Sequence, residues 1–123
     1  MCYCDVDPPR VYSSAKRKAR KRYRCQECGG SIERGEKYEY VSGLWQGGWE
    51  EHRTCGYCLE IRKWLDANYE CFRECFSLGD LDQAIEDFIE SGKTAPGQIF
   101  RAYRFRVQMR RRYEAFKAMK EAA

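Results

Sequence analysis

Eight cysteines stand among the 123 residues, and four of them are spaced so as to grip a metal ion. Cys25-Gln-Glu-Cys28 and Cys55-Gly-Tyr-Cys58 are two Cys-x-x-Cys pairs with 26 residues between them. Four thiolates about 2.3 Å from a zinc ion close a tetrahedron with no open position, so such a metal would shape the chain rather than react. His52 leaves the ligand set open. His52-Arg-Thr-Cys55 is itself a metal-binding spacing, and the histidine could replace Cys58. The remaining sulfurs make a second possible quartet. Cys71 and Cys75 would share one face of a helix, and Cys2 and Cys4 would supply the other two ligands. Buried free thiols or a disulfide framework are the competing readings. The first ten residues contain no apolar core of a signal peptide, and no later segment is apolar enough to span a membrane. The expected location is therefore the cytoplasm, where clustered cysteines more often bind metal than form disulfides.

Cations are the second resource. Residues 1–24 carry eight Lys/Arg against two Asp, residues 25–100 seven against fifteen acids, and residues 101–123 eight against two. Seven cations fall within nine residues as Lys16, Arg17, Lys18, Arg20, Lys21, Arg22 and Arg24. Such a run suits a phosphate backbone, because each neutralised phosphate releases counterions. A solvated arm and docking onto the acidic middle are the competing readings. Near the C-terminus, Arg101, Arg104 and Arg111 fall on one side of a helical stripe, and Arg106, Arg110 and Lys117 on the other. Tyr23, Tyr103 and Tyr113 interleave with these cations and could stack on bases.

The elements that must position these groups can be read in order. Cys25–Gly30 is a tight turn whose glycines permit close approach to a metal. The stretch 36–52, rich in Tyr, Val and Trp around Gly47-Gly48, predicts a β-hairpin. A helix is expected to start at Thr54 as N-cap, with Cys55 and Cys58 in its first turn and Ile61, Trp64 and Leu65 on its apolar face. This order of knuckle, hairpin and helix is that of a treble-clef zinc finger. Asp80 is expected to cap a further helix bearing Leu81, Ala84, Ile85, Phe88 and Ile89, which Gly92 ends. After a turn at 93–97, a long helix from about Gln98 carries the stripe Ile99, Ala102, Phe105, Met109, Tyr113, Phe116 and Met119. The expected class is a small, zinc-stabilised α+β fold. Residues 1–24 form an extended segment with a basic arm, 25–78 the finger, and 79–123 a helical extension.

The pattern Cys-x-x-Cys, Ser31-Ile32, Trp49-x-x-His52-x-x-Cys55 resembles the nick-sensing finger of poly-ADP-ribose polymerases, which implies His52 as a ligand. With Met1–Asp5 and the stretch from Cys71 to Leu81, residues 1–85 also resemble small zinc-binding proteins encoded by bacteriophages and prophages. That resemblance implies zinc, a bacterial host's cytoplasm and a regulator or an inhibitor of host machinery, including an anti-CRISPR-like role. Enzymatic function is not expected. The chain has one histidine, no His-x-Glu followed by Pro-Cys-x-x-Cys, no phosphate-cradling glycine loop and no thioredoxin-like setting for its cysteines. The expected partners are nucleic acid or a host nucleoprotein bound through the basic ends. A host protein gripped by Trp45 and Trp49 is the alternative. A homodimer is open, and a membrane is not expected.

Overall fold

The computed structural model describes residues 9–92 and 95–122. The element order is β1 (Val11–Lys18), β2 (Tyr23–Arg24), β3 (Ser31–Ile32), β4 (Lys37–Trp45), β5 (Gly48–Cys55), α1 (Gly56–Asn68), α2 (Phe72–Cys75), α3 (Leu81–Glu90) and α4 (Pro96–Ala122). β4 and β5 form the expected hairpin, closed by Gln46 and Gly47, with Trp45 opposite Gly48 and Tyr38 opposite Cys55. β1 adds antiparallel to β4 and makes the three-stranded order β1-β4-β5. The first three cations of the expected basic arm, Lys16, Arg17 and Lys18, are therefore in sheet. All eight residues of β1 are exposed, so it gains its strand state from backbone pairing rather than from a buried face. Its cations suit an edge position, because charge discourages edge-to-edge aggregation.

β2 and β3 pair as a short ladder around the turn that carries Cys25 and Cys28. Gly29 takes a positive φ of 73° there, which glycine adopts without a Cβ penalty. α1 begins one residue later than expected. Thr54 is a buried residue of β5, and Cys55 is the cap, its sulfur accepting from the Cys58 N–H. The expected cap of α3 is also corrected. Asp80 makes no side-chain cap bond, and instead the Leu81 N–H donates to Oε1 of Glu27 at 3.3 Å. Gly92, at φ 69°, follows the end of α3 as anticipated.

α4 starts at Pro96 rather than Gln98. Proline suits a first helical position because its missing N–H is one the helix leaves unpaired. The Gln98 side chain reaches back to accept from the Ala95 N–H at 3.0 Å. One core joins the three segments, containing Ala19, the four inner cysteines, Ile61 and Leu65 of α1, Leu81, Ile85 and Phe88 of α3, and Ala102 and Met109 of α4. Trp64 stands edge-on to Phe88 at 5.3 Å and to Phe105 at 5.4 Å, locking α1, α3 and α4 together. No helix among the described residues is long and apolar enough to cross a membrane.

Candidate metal centre

The hairpin end, the turn and the helix start converge on four buried sulfurs. Sγ atoms of Cys25, Cys28, Cys55 and Cys58 all lie within 4.8 Å of one another. A tetrahedron with 2.3 Å metal–sulfur bonds has sulfur–sulfur edges of about 3.8 Å. The Cys25–Cys58 and Cys28–Cys55 distances are 3.9 and 3.8 Å, so the cluster fits one metal ion of zinc's size and preference. The backbone is arranged for thiolates. Glu27 and Cys55 N–H groups donate to Cys25 at 3.4 and 3.3 Å, Gly30 to Cys28 at 3.3 Å, and Cys58 to Cys55 at 3.4 Å.

Gln26 fixes the turn on the hairpin. Its backbone N–H donates to the Arg53 carbonyl at 2.8 Å, and its side-chain oxygen accepts from the Arg53 N–H at 2.6 Å. Without an ion the four sulfurs would have to divide the charge between them. Hydrogen bonding to Cys25 first, then Cys55 and Cys58, drives Cys28 toward thiolate, and Cys25 likewise lowers Cys55 to about 7. Cys25 and Cys58 are pushed up, Cys25 mainly by its bond to Cys28 and Cys58 mainly by its bond to Cys25. A divalent ion removes that conflict by accepting all four as thiolates.

His52 stands apart from this cluster. It is half-buried on β5, its Nδ1 lies 3.3 Å from the Thr54 hydroxyl, and the group of converging ligands contains Cys58 instead. Burial, and then the charge of Arg62, lowers its pKa and keeps the imidazole neutral. Of the outer quartet, Cys2 and Cys4 lie outside the described residues. Cys71 is the N-cap of α2 and Cys75 its last residue, and both are disulfide-bonded. A second metal site would need those sulfurs as thiolates instead.

α4 contributes a residue that the sequence stripe left out. The half-buried side of this helix runs Ala102, Phe105, Met109, Arg112, Phe116 and Met119, with Arg112 where Tyr113 was expected. A Cβ added at Gly30 would sit 2.7 Å from Arg112 Cβ and 3.2 Å from Cys28 Sγ. The helix therefore rests directly on the turn. Arg112 Nη2 donates to the Ser31 carbonyl at 3.0 Å. Burial alone would lower its pKa, but hydrogen bonding to Cys28 and the charge of Cys55, Cys28 and Cys58 raise it further. Four thiolates and one divalent ion leave two net negative charges, and Arg112 is the cation placed against them.

No family model, curated protein or solved structure matches the chain. Geometry alone carries the assignment of roles.

Glu27 links this turn to the helical part. Burial pushes its carboxyl up to about 7, against the opposing N–H groups of Leu81 and Gly79. Glu27→Ala is expected to lower stability by about 1 kcal/mol, as loss of a helix cap does. Glu27→Gln, which keeps an acceptor, should lie nearer the parent in thermal melting. Equal stability of the parent and the alanine variant would show that this contact caps nothing.

The candidate nucleic-acid contacts divide. Lys16, Arg17 and Lys18 lie on β1, Arg20, Lys21 and Arg22 follow it, and Arg24 lies on β2. Arg101, Arg104 and Arg111 are exposed on α4. Of these ten, only Arg22 has a carboxylate within 4.0 Å among the described residues, that of Glu33 at 2.7 Å. On the other side of α4, Arg106 is taken by Asp82 of α3 at 3.0 Å. Tyr23 is not free to stack, since Tyr38 lies 5.6 Å away and the Arg53 guanidinium 4.4 Å over its ring. Trp45 folds over Gly43, whereas Trp49 is 65 % exposed, so the hairpin presents one tryptophan rather than two.

Proposed function

We propose that this chain is a non-enzymatic zinc protein that binds nucleic acid, or a nucleoprotein, through a basic surface assembled on its metal turn. The observation that carries this reading lies at Gly29. A Cβ there would meet Tyr113 Cδ2 of α4 at 2.7 Å and Arg24 Nη2 of β2 at 3.4 Å. Two basic stretches from opposite ends of the sequence thus flank the metal turn, and among the described residues only Arg22 and Arg106 of their cations have a carboxylate within 4.0 Å. Zinc is the ion that best suits four buried thiolates, and a closed tetrathiolate supports a shaping role over catalysis. The order of turn, hairpin and helix supports a treble-clef assignment. A cytoplasmic setting in a phage-infected bacterium belongs to the same proposal.

The test is binding of a labelled duplex to the zinc-loaded chain across a salt series. Log affinity should fall linearly with log salt, with a slope near 0.9 per phosphate contacted. Replacing Lys16, Arg17 and Lys18 together by glutamine should flatten that slope by up to about three. Binding indifferent to salt would reject the reading. A protein target is favoured by Trp49 alone, and capture of a host protein after nuclease treatment, lost in Trp49→Ala, would replace nucleic acid with it.

A further inference from the structure

The outward side of α4 combines exposed rings with cations. From Pro96 to Tyr113 the helix contains six arginines and no acidic residue. An aromatic–arginine step occurs twice at a spacing of three, as Phe100-Arg101 and Tyr103-Arg104. The structure turns Phe105 inward toward Trp64 and leaves Phe100 72 %, Tyr103 50 % and Val107 50 % exposed. These side chains border an open groove of about 560 Å³, whose wall includes Tyr57, Arg101, Arg104 and Arg111 and, among the described residues, no carboxylate. An exposed phenylalanine beside arginines that have no carboxylate within 4.0 Å among the described residues suits an occupant that is both anionic and planar-faced.

We propose that this face is a stacking platform for single-stranded nucleic acid, a claim that rests on the nucleic-acid reading and narrows it. Residues three apart on a helix have Cβ atoms about 5–6 Å apart, so Phe100 and Tyr103 offer two neighbouring rings to successive bases. Arg101, Arg104 and Arg111 then meet the phosphates. A duplex keeps its base faces stacked inside and cannot use the rings, whereas β1 offers cations that either form can meet. A second copy of α4 fits poorly, because the same arginines would face one another. A membrane surface also fits poorly, because the exposed apolar residues are interrupted by arginine and form no continuous face to insert.

The experiment compares labelled oligo-dT and oligo-rU of about 15 nucleotides with a duplex of equal length, a length chosen to cover single-strand site sizes. It uses the zinc-loaded full chain. Phe100→Ala with Tyr103→Ala is expected to weaken single-strand binding about tenfold to a hundredfold and to leave duplex binding within about twofold. Phe100→Trp with Tyr103→Phe should restore it. Quenching of 2-aminopurine placed in the oligonucleotide should be lost with the alanine pair and regained with the aromatic pair. Both residues are exposed, and unchanged helical circular dichroism checks that the fold survives. Single-strand affinity unchanged by the alanine pair, with duplex binding intact, overturns the platform alone. Absence of binding to either form at low salt overturns the parent reading as well. Ring-dependent binding to vesicles containing phosphatidylserine, with none to oligonucleotides, assigns the face to a membrane and overturns both.

Discussion

A strong zinc chelator at neutral pH is expected to unfold this chain, with loss of the cooperative thermal transition and much of the helical signal. The magnitudes decide this. A four-thiolate zinc site contributes on the order of 10–16 kcal/mol, while domains of this size have total stabilities of about 5–15 kcal/mol. The apolar core is small. Its large, fully buried aliphatic side chains are Ile32, Val41, Ile61, Leu65, Leu81 and Ile85. Several of them sit on elements that the sulfurs tie together. Cys28→Ser and Cys58→Ser should each give a chain that fails to fold even with excess zinc, and re-metallation of the wild type should restore the melt. Acid should act in the same sense, because protons compete with the ion for all four thiolates. A metal-free sample that keeps its transition would refute the role assigned to the cluster. Native mass spectrometry gives the stoichiometry. One zinc accounts for the inner quartet, and two would mean that the outer cysteines bind metal as well.

Arg112→Met should be the most consequential change outside the cysteines. Methionine fills much of the same volume but withdraws the cation from the sulfurs and the donor from the Ser31 carbonyl. Groups that hydrogen-bond to metal ligands typically change metal affinity about 10–100-fold when removed. Zinc transfer to a competing chromogenic chelator should therefore be favoured by that factor, and amide exchange along α4 should quicken. Gly30→Ala provides the contrast. Its added methyl would press on Arg112 Cβ at 2.7 Å, and more lightly on Cys28 Sγ at 3.2 Å and the α4 backbone at 3.3 Å, which lifts the helix, keeps its charge and leaves all four ligands in place. It should loosen α4 with a smaller loss of zinc. Chelation of the methionine variant at the wild-type level would show that Arg112 is packing alone.

The ligand pairs were legible because Cys-x-x-Cys is a local signal, and the hairpin because its alternation and glycines are local too. What escaped the sequence depends on partners distant in the chain. β1 does not read as a sheet strand because no face of Val11–Lys18 is apolar, and its strand state comes from register with β4. Arg112 falls at helical spacing between Met109 and Phe116, but a cation is not expected on a buried stripe. Thiolates beneath it reverse that expectation, and an arginine in register with apolar neighbours was the available signal. Glu27 caps a helix 54 residues further along, which no local pattern announces. Thr54 looked the better cap because a cysteine sulfur is seldom counted as one. The approach of Tyr113 to Gly29 is purely tertiary.

Cys55 ends β5, caps α1 and supplies a sulfur to the cluster, so the passage from sheet to helix contains no linker at all. Evolution can lengthen the Gln46-Gly47 bend without disturbing any ligand. One extra residue between Arg53 and Gly56 would instead rotate the helix by about 100° and shift strand register. The angle between hairpin and helix is thereby frozen, and changes of length are confined to the opposite tip.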